Sequence, residues 1–106
     1  MALFSFLRGP DINQGVTEFR QTPGALLLDV RTPQEYQGGH IPGSRNLPLQ
    51  NISNAPAVAG DKAAPLFVYC YSGGRSAQAV SALRRMGYQQ VKNLGGISAY
   101  TGKVEV

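Results

Sequence analysis

Apolar residues in this chain form short runs, separated by segments with the spacing of helices. Two runs, residues 25–30 and 65–70, are apolar almost throughout, which predicts strands covered on both faces, as in a parallel sheet. The second run also has the β-branched and aromatic residues typical of a central strand. Residues 45–49 and 90–94 predict two shorter strands. Residues 50–64, rich in Asn, Ala, Gly and Pro, are expected to be a loop with at most one helical turn.

Helical spacing is clearest at residues 76–86, just before a glycine suited to ending a helix, Gly87. The apolar face of this helix consists of Ala79, Val80, Leu83 and Met86. Shorter helices are predicted at residues 16–20, from Thr32 to the glycine pair at 38–39, and around residues 97–100. Strands that alternate with helices predict an α/β domain with a mostly parallel sheet.

Two residues whose side chains could take part in chemistry lie where predicted strands end. Asp29 falls at the end of the first buried run and Cys70 at the end of the second. Sheets of this class bind ligands at the carboxyl ends of their strands. We therefore expect both side chains to lie at the same edge of the sheet, near the ligand site.

The size and charge of the chain limit the classes of partner that we predict for it. Its 106 residues suit one domain, and we expect residues 11–106 to form it, with residues 1–10 as an N-terminal extension. The net charge of +4 is dispersed, without a basic run or interleaved aromatic residues, so nucleic acid is not a predicted partner. A membrane is not predicted either, because no apolar run is long enough to cross one. The charge suits a small anionic substrate.

Cysteine and histidine are too scarce for a disulfide framework or a metal centre. The chain has one of each, Cys70 and His40, so no internal disulfide, metal site or cofactor is predicted. The apolar start, residues 1–7, has no basic residue before it and is interrupted by Arg8, unlike a signal peptide. We therefore expect a cytoplasmic location and interpret residues 1–7 as packing on the domain or on a partner.

The most informative segment is the loop that joins a cysteine at the end of a buried strand to the start of a helix. It reads Cys70-Tyr71-Ser72-Gly73-Gly74-Arg75-Ser76. Glycines let the backbone turn its amides inward, and successive inward amides form an anion site. The helix start and Arg75 add positive charge. We predict that Cys70 is a nucleophilic thiolate with a lowered pKa, and the alternative is an inert buried cysteine.

Three motifs in this chain resemble the signatures of the rhodanese, or thiosulfate sulfurtransferase, family. They are Asp29-Val30-Arg31 with Glu35-Tyr36 and residues 39–44, the loop of residues 68–76, and residues 94–100. The resemblance covers residues 11–102, in the order and spacing of the single-domain form. It implies a doubly wound α/β fold with a central five-stranded, mostly parallel sheet.

The resemblance also implies an activity for the residue that matches the family's cysteine, Cys70. That residue would take the outer sulfur of a small anionic donor such as thiosulfate, release sulfite and become a persulfide. The amides of residues 71–75 would cradle the persulfide. A thiophilic acceptor would then remove the sulfur in a ping-pong cycle: cyanide in assays, a thiol or a thioredoxin-like protein in cells.

Loop length distinguishes sulfur chemistry from phosphate chemistry within this resemblance. Cell-cycle phosphatases and arsenate reductases of the same fold use a loop one residue longer, whereas here four residues separate Cys70 from Arg75. Sulfur transfer is therefore the preferred interpretation, and phosphatase or arsenate reductase activity is disfavoured. A sulfur carrier or docking module with little small-molecule turnover is the alternative that stays open.

Three further residues are placed in supporting roles: Asp29, Arg31 and Ser76. We expect Asp29 to fix neighbouring backbone, and Arg31 to pair with Glu35 or with a loop carbonyl. His40 is expected to make a turn hydrogen bond rather than to act as a catalytic base, because a cradle of amides forms a thiolate without one.

Overall fold

The computed structural model describes residues 10–106, in which strands and helices alternate as predicted. The helices are α1 (Ile12–Gln21), α2 (Pro33–Gln37), α3 (Ala55–Val58) and α4 (Gly74–Arg85). The strands are β1 (Leu26–Asp29), β2 (Ser44–Asn46), β3 (Leu66–Cys70) and β4 (Val91–Gly96), and the 3-10 segments are Leu49–Asn54 and Ile97–Ala99. None of the described helices combines the length and hydrophobicity needed to cross a membrane. The packing predicted for residues 1–7 lies outside the described residues.

The four strands within residues 10–106 form one sheet in the order β2-β1-β3-β4, and all neighbours are parallel. The α/β class and the parallel sheet are thus confirmed, but the five-strand count is wrong for the described residues. Four segments have a strand pattern in the sequence, and each of them joins the sheet. The fifth strand was implied by the resemblance alone, and no other segment of residues 10–106 carries the apolar run of a doubly covered strand.

Both faces of the sheet are covered, as a doubly wound fold requires. Successive residues of a strand point to opposite faces. Leu28 and Val68 pack in one core cluster with α3 and α4, whereas Leu27 packs in a second cluster with α1. Cys70 belongs to the first cluster, so its side chain lies on the α4 side of the sheet. Each fully buried aliphatic side chain contributes about 1.5–3 kcal/mol of hydrophobic stabilisation.

Several elements differ in extent from the prediction, and the largest differences are at α1 and β2. α1 begins a turn earlier than expected, because Asp11 caps it by accepting hydrogen bonds of 3.1 and 3.4 Å from amides of the first turn. β2 is shorter than the predicted strand at 45–49. The pairing nevertheless continues past its end, since the amides of Leu47 and Leu49 donate to carbonyls at and just after the end of β1, over 2.8 and 3.0 Å.

The prediction of a loop at residues 50–64 is wrong for its first half, which is helical. The segment holds most of the 3-10 turn Leu49–Asn54 and all of α3. Its apolar residues recur at every third position, which matches the three-residue turn of a 3-10 helix. They are Leu49, Ile52, Ala55 and Val58, and all four pack on the α4-side core. The many Asn, Ala and Pro residues between them obscured this spacing.

The strand order places the predicted site residues at a topological switch point. From β1 the chain runs to β2 on one side and returns to β3 on the other, so the connections diverge at the carboxyl ends of β1 and β3. Asp29 pairs with Tyr69, and Cys70 pairs with Gly96 of β4. The prediction that Asp29 and Cys70 share one edge of the sheet is therefore confirmed.

Candidate active site

Cys70 is the last residue of β3 and lies beneath the loop that follows it. The residue is 1% exposed, so the loop separates its sulfur from solvent. Burial alone would suit an inert core cysteine, but the contacts of the sulfur are polar. The Gly73 amide donates a hydrogen bond to Sγ over 3.0 Å, and the Ser76 hydroxyl lies 3.4 Å from it. These contacts favour a reactive thiol over an inert one.

The shape of the loop depends on Gly73. This residue has a φ of +109°, in the left-handed region that side chains disfavour, and it immediately precedes α4. The chain turns at this residue, whose amide donates to the sulfur. Tyr71, Ser72 and Gly74 of the predicted binding loop are exposed.

A close backbone contact with β4 holds the loop in place. A Cβ on Gly96 would overlap the carbonyl oxygen of Tyr71 and would lie 2.5 Å from the Cα of Ser72. The Ser98 amide donates a 3.0 Å hydrogen bond to the same carbonyl of Tyr71. Gly96 was not among the residues predicted for the site, although a glycine within a strand signals a close approach of backbone.

The surroundings of Cys70 favour its ionised form. Burial raises the pKa of the thiol, but hydrogen bonds from the Ser76 hydroxyl and from the amides of Ser76, Gly73 and Ser72 lower it. The hydrogen bonds outweigh the burial, so the pKa of Cys70 lies below its ordinary value. The prediction of a lowered pKa therefore agrees with the geometry of the loop.

Arg75, predicted to be in the loop, lies in the first turn of α4, and its charge is paired with a carboxylate. Its guanidinium donates two hydrogen bonds to Glu35, of 2.7 and 3.0 Å. Glu35 also accepts from the amide and hydroxyl of Thr32, in the capping box that begins α2. The hydrogen bond from Arg75 is the main cause that lowers the pKa of Glu35 to about 2. Of the two partners expected for Arg31, Glu35 is therefore not the one, because its carboxylate is bound to Arg75.

Asp29 and Arg31 form a buried ion pair next to this cluster. Arg31 Nη2 lies 2.7 Å from Asp29 Oδ2, and both side chains are almost fully buried. Asp29 Oδ1 also accepts the Arg31 amide over 2.9 Å, so it fixes neighbouring backbone as expected. Arg31 donates a further 2.8 Å hydrogen bond to the carbonyl of Gly39, which is the loop-carbonyl alternative of the prediction. The pair thereby joins the end of β1 to the turn after α2.

His40 takes part in the turn rather than in the Cys70 cluster. Its Nδ1 lies 2.9 Å from the carbonyl oxygen of Tyr36, and its ring stacks on the Tyr36 ring at a centroid distance of 3.8 Å. Its Nε2 lies 3.8 Å from the Glu105 carboxylate. The expected turn hydrogen bond is therefore present. Within residues 10–106, no three His, Cys, Asp or Glu side chains are grouped so that they could hold a metal ion.

Ser76 is fully buried and links the sulfur to a residue that the sequence did not single out. Its Oγ lies 3.4 Å from Cys70 Sγ and 2.8 Å from the carboxamide oxygen of Asn93. Asn93 belongs to β4, and its oxygen also accepts the amide of Gly95 over 2.9 Å. The predicted strand at 90–94 also contains Gln90 and Lys92, so its pattern gave no signal that singled out Asn93.

The likeness to known proteins agrees with this geometry. The sequence profile of the rhodanese-like domain matches residues 14–103. The chain belongs to the rhodanese-like domain family. The Bacillus subtilis protein YqhL, described as uncharacterized, is 40% identical to it over 83 residues, which cover 76% of this chain and 64% of that protein. The Escherichia coli thiosulfate sulfurtransferase PspE is 42% identical over 71 residues, which cover 66% of this chain and 68% of that protein.

Solved structures share the rhodanese-like fold. A structure described as "rhodanese with anions from E. coli" superposes with a TM-score of 0.72 at 34% identity, and the match covers 76% of this chain and 96% of that one. The match to YqhL and PspE spans about two thirds of each, 64% and 68%. The fold implied by the motifs is thus confirmed, apart from the number of strands.

Proposed function

We propose that this rhodanese-like domain is a sulfurtransferase that carries a sulfur atom as a persulfide on Cys70. The observation that carries the proposal is the 3.0 Å hydrogen bond from the Gly73 amide to Cys70 Sγ. A main-chain donor aimed at a buried sulfur stabilises negative charge there, first on the thiolate and then beside the persulfide. The name of PspE, a thiosulfate sulfurtransferase that is 42% identical, supports the same chemistry.

In the first half of the proposed reaction, the Cys70 thiolate attacks the outer sulfur of a small anionic donor such as thiosulfate. A bond forms between the two sulfurs while the donor's own S–S bond breaks, and sulfite leaves with that electron pair. The persulfide bears its negative charge on the outer sulfur. We assign the amides of residues 71–75 to the stabilisation of this charge, because successive inward amides bind anions.

In the second half, an acceptor nucleophile bonds to the outer sulfur of the persulfide. The S–S bond breaks, and its electron pair returns to Cys70 as a thiolate. Cyanide would leave as thiocyanate, and a thiol would leave as a persulfide. Because sulfite departs before the acceptor reacts, the kinetics are ping-pong. A small thiol or a thioredoxin-like protein is the proposed acceptor, and the reducing cytoplasm, which keeps Cys70 a free thiol, is the proposed compartment.

The pairing of Arg75 favours sulfur transfer over phosphate or arsenate chemistry. A phosphoryl group is bound best by an open guanidinium, which offers it two parallel hydrogen bonds. Two nitrogens of the Arg75 guanidinium donate hydrogen bonds to Glu35, over 2.7 and 3.0 Å. The four residues between Cys70 and Arg75 also make a small ring. Charge on a single sulfur suits such a ring better than a tetrahedral oxyanion does.

The proposal is tested by the intact mass of the protein after incubation with thiosulfate. We expect a gain of one sulfur atom in the wild type, loss of that atom on addition of cyanide, and no gain in Cys70→Ser. Alkylation of the unfolded protein would first establish that the thiol is free. A wild type with a free thiol and no added sulfur would contradict the proposal. Sulfur uptake without steady-state turnover on cyanide would instead identify a carrier module.

A further inference from the structure

The Ser76 hydroxyl faces more hydrogen-bond acceptors than it can serve. Its oxygen lies 2.8 Å from Asn93 Oδ1, 3.0 Å from the Gly73 carbonyl, 3.4 Å from the Gly95 carbonyl and 3.4 Å from Cys70 Sγ. Ser76 is fully buried, so bulk solvent does not reach its hydroxyl. A hydroxyl has one proton to donate. The shortest of the four contacts is the one to Asn93.

The orientation of the Asn93 side chain is fixed by a neighbouring amide. The N–H of Gly95 donates a 2.9 Å hydrogen bond to Asn93 Oδ1, so the carboxamide oxygen, and not its NH₂ group, faces Ser76. At this contact Asn93 can therefore only accept a hydrogen bond from the hydroxyl. It stands as a competitor to the sulfur of Cys70 for the same proton.

We propose that Asn93 is a positioning residue for Cys70, because it shares the Ser76 hydroxyl proton with the sulfur. While Cys70 is a thiol, its S–H points to Ser76 Oγ and the hydroxyl donates to Asn93. When the thiol loses its proton, the hydroxyl turns and donates to the thiolate. Once Sγ is part of a persulfide, which bears its charge on the outer sulfur, the hydroxyl returns to Asn93. This last step rests on the proposed sulfur transfer, whereas the first two do not.

Charged side chains on the elements around Cys70 are bound to other groups. Arg75 pairs with Glu35, Arg31 with Asp29 and Lys92 with Glu18, while on α4 Arg84 donates to the carbonyl of Val91 and Arg85 to the hydroxyl of Ser81. Tyr69 precedes Cys70 on β3 but packs in the opposite core cluster, and burial raises its pKa, so it stays neutral. The hydroxyl of Ser76 therefore responds to Cys70 itself.

Asn93→Asp tests the proposal, because aspartate keeps both acceptor contacts and holds the hydroxyl proton more strongly. We expect it to raise the pKa of Cys70 by about one unit or more, since the proton is withheld from the thiolate and a negative charge is added nearby. In the Ser76→Ala background the same substitution should raise the pKa by distinctly less, because only the through-space charge remains. The pKa of Cys70 is read from the thiolate absorbance. The matched charge control is Asn51→Asp, at an exposed position of the 3-10 segment.

Equal shifts in the two backgrounds, or no shift from Asn93→Asp, would overturn the proposal. Asn93→Ala provides a second test, which also serves if the aspartate variant does not fold. It removes the nearest of the competing acceptors and leaves the Gly73 and Gly95 carbonyls, so the pKa of Cys70 should fall while Ser76 is present, and a rise would count against the inference. These measurements need no sulfur donor. A wild type that takes up no sulfur would refute the proposed function and leave the shared proton standing.

Discussion

Replacing Gly96 with alanine is expected to reduce sulfur transfer by about 100-fold or more, the effect of displacing a reacting group by roughly an ångström. The alanine Cβ would overlap the carbonyl oxygen of Tyr71 and lie 2.5 Å from the Cα of Ser72. Both atoms belong to backbone, which cannot move aside as the end of a flexible side chain could. The loop would have to shift away from β4 and would carry the Gly73 amide away from Cys70.

The measurement is the rate of sulfur uptake by the Gly96→Ala protein, with the pKa of Cys70 as a second readout. The pKa should rise toward its ordinary value, because the thiolate loses an amide donor. Gly60→Ala is the matched control: a Cβ at Gly60 meets its nearest atom at 3.6 Å, an ordinary contact, and should leave both quantities unchanged. Wild-type uptake by the Gly96 variant would show that the close approach does not position the loop.

Replacing Asp29 with alanine is expected to lower the free energy of unfolding by about 3–5 kcal/mol, the usual cost of removing one partner of a buried ion pair. Arg31 would keep its charge in a site where it is 5% exposed, with the Gly39 carbonyl as its described hydrogen-bond partner. For a domain of this size, the melting temperature should fall by roughly 12–20 °C. The cost comes from the uncompensated guanidinium rather than from the lost attraction.

Denaturant unfolding of Asp29→Ala measures this loss, and an exposed ion pair supplies the comparison. Glu18 and Lys92 lie 2.6 Å apart with about half of each side chain exposed, at 49% and 57%. Because water screens that pair, Glu18→Ala should change the free energy of unfolding by about 1 kcal/mol or less. If the two variants lost similar amounts of unfolding free energy, burial would not be the reason that the Asp29 pair stabilises the fold.

The parts of the fold that could be predicted are those written in local patterns. Continuous apolar runs identified β1 and β3. A strand that is covered on both faces is apolar at successive positions, rather than alternating between apolar and polar residues. The ends of those runs placed Asp29 and Cys70 at one edge of the sheet. The capping box of α2 has a local sequence signal as well, because Glu35 follows Thr32 by three positions.

The contacts that could not be predicted join residues far apart in sequence. Glu35 binds Arg75 across 40 positions, and both were seen separately without a signal that they meet. The register between β3 and β4 shifts at Val68 and Tyr69, which sets Gly96 opposite Cys70. No local pattern marks such a shift, because it arises from how two strands and a loop pack together.

The reactivity proposed for Cys70 requires that main-chain amides around it stabilise negative charge on its sulfur. The most direct measurement is the pH dependence of thiolate absorbance in the native protein and in the same protein unfolded by denaturant, with Cys70→Ser as the blank. The chain has one cysteine, so the signal belongs to a single group. We expect a lower pKa in the native protein than in the unfolded one. An equal or higher native pKa would contradict this expectation.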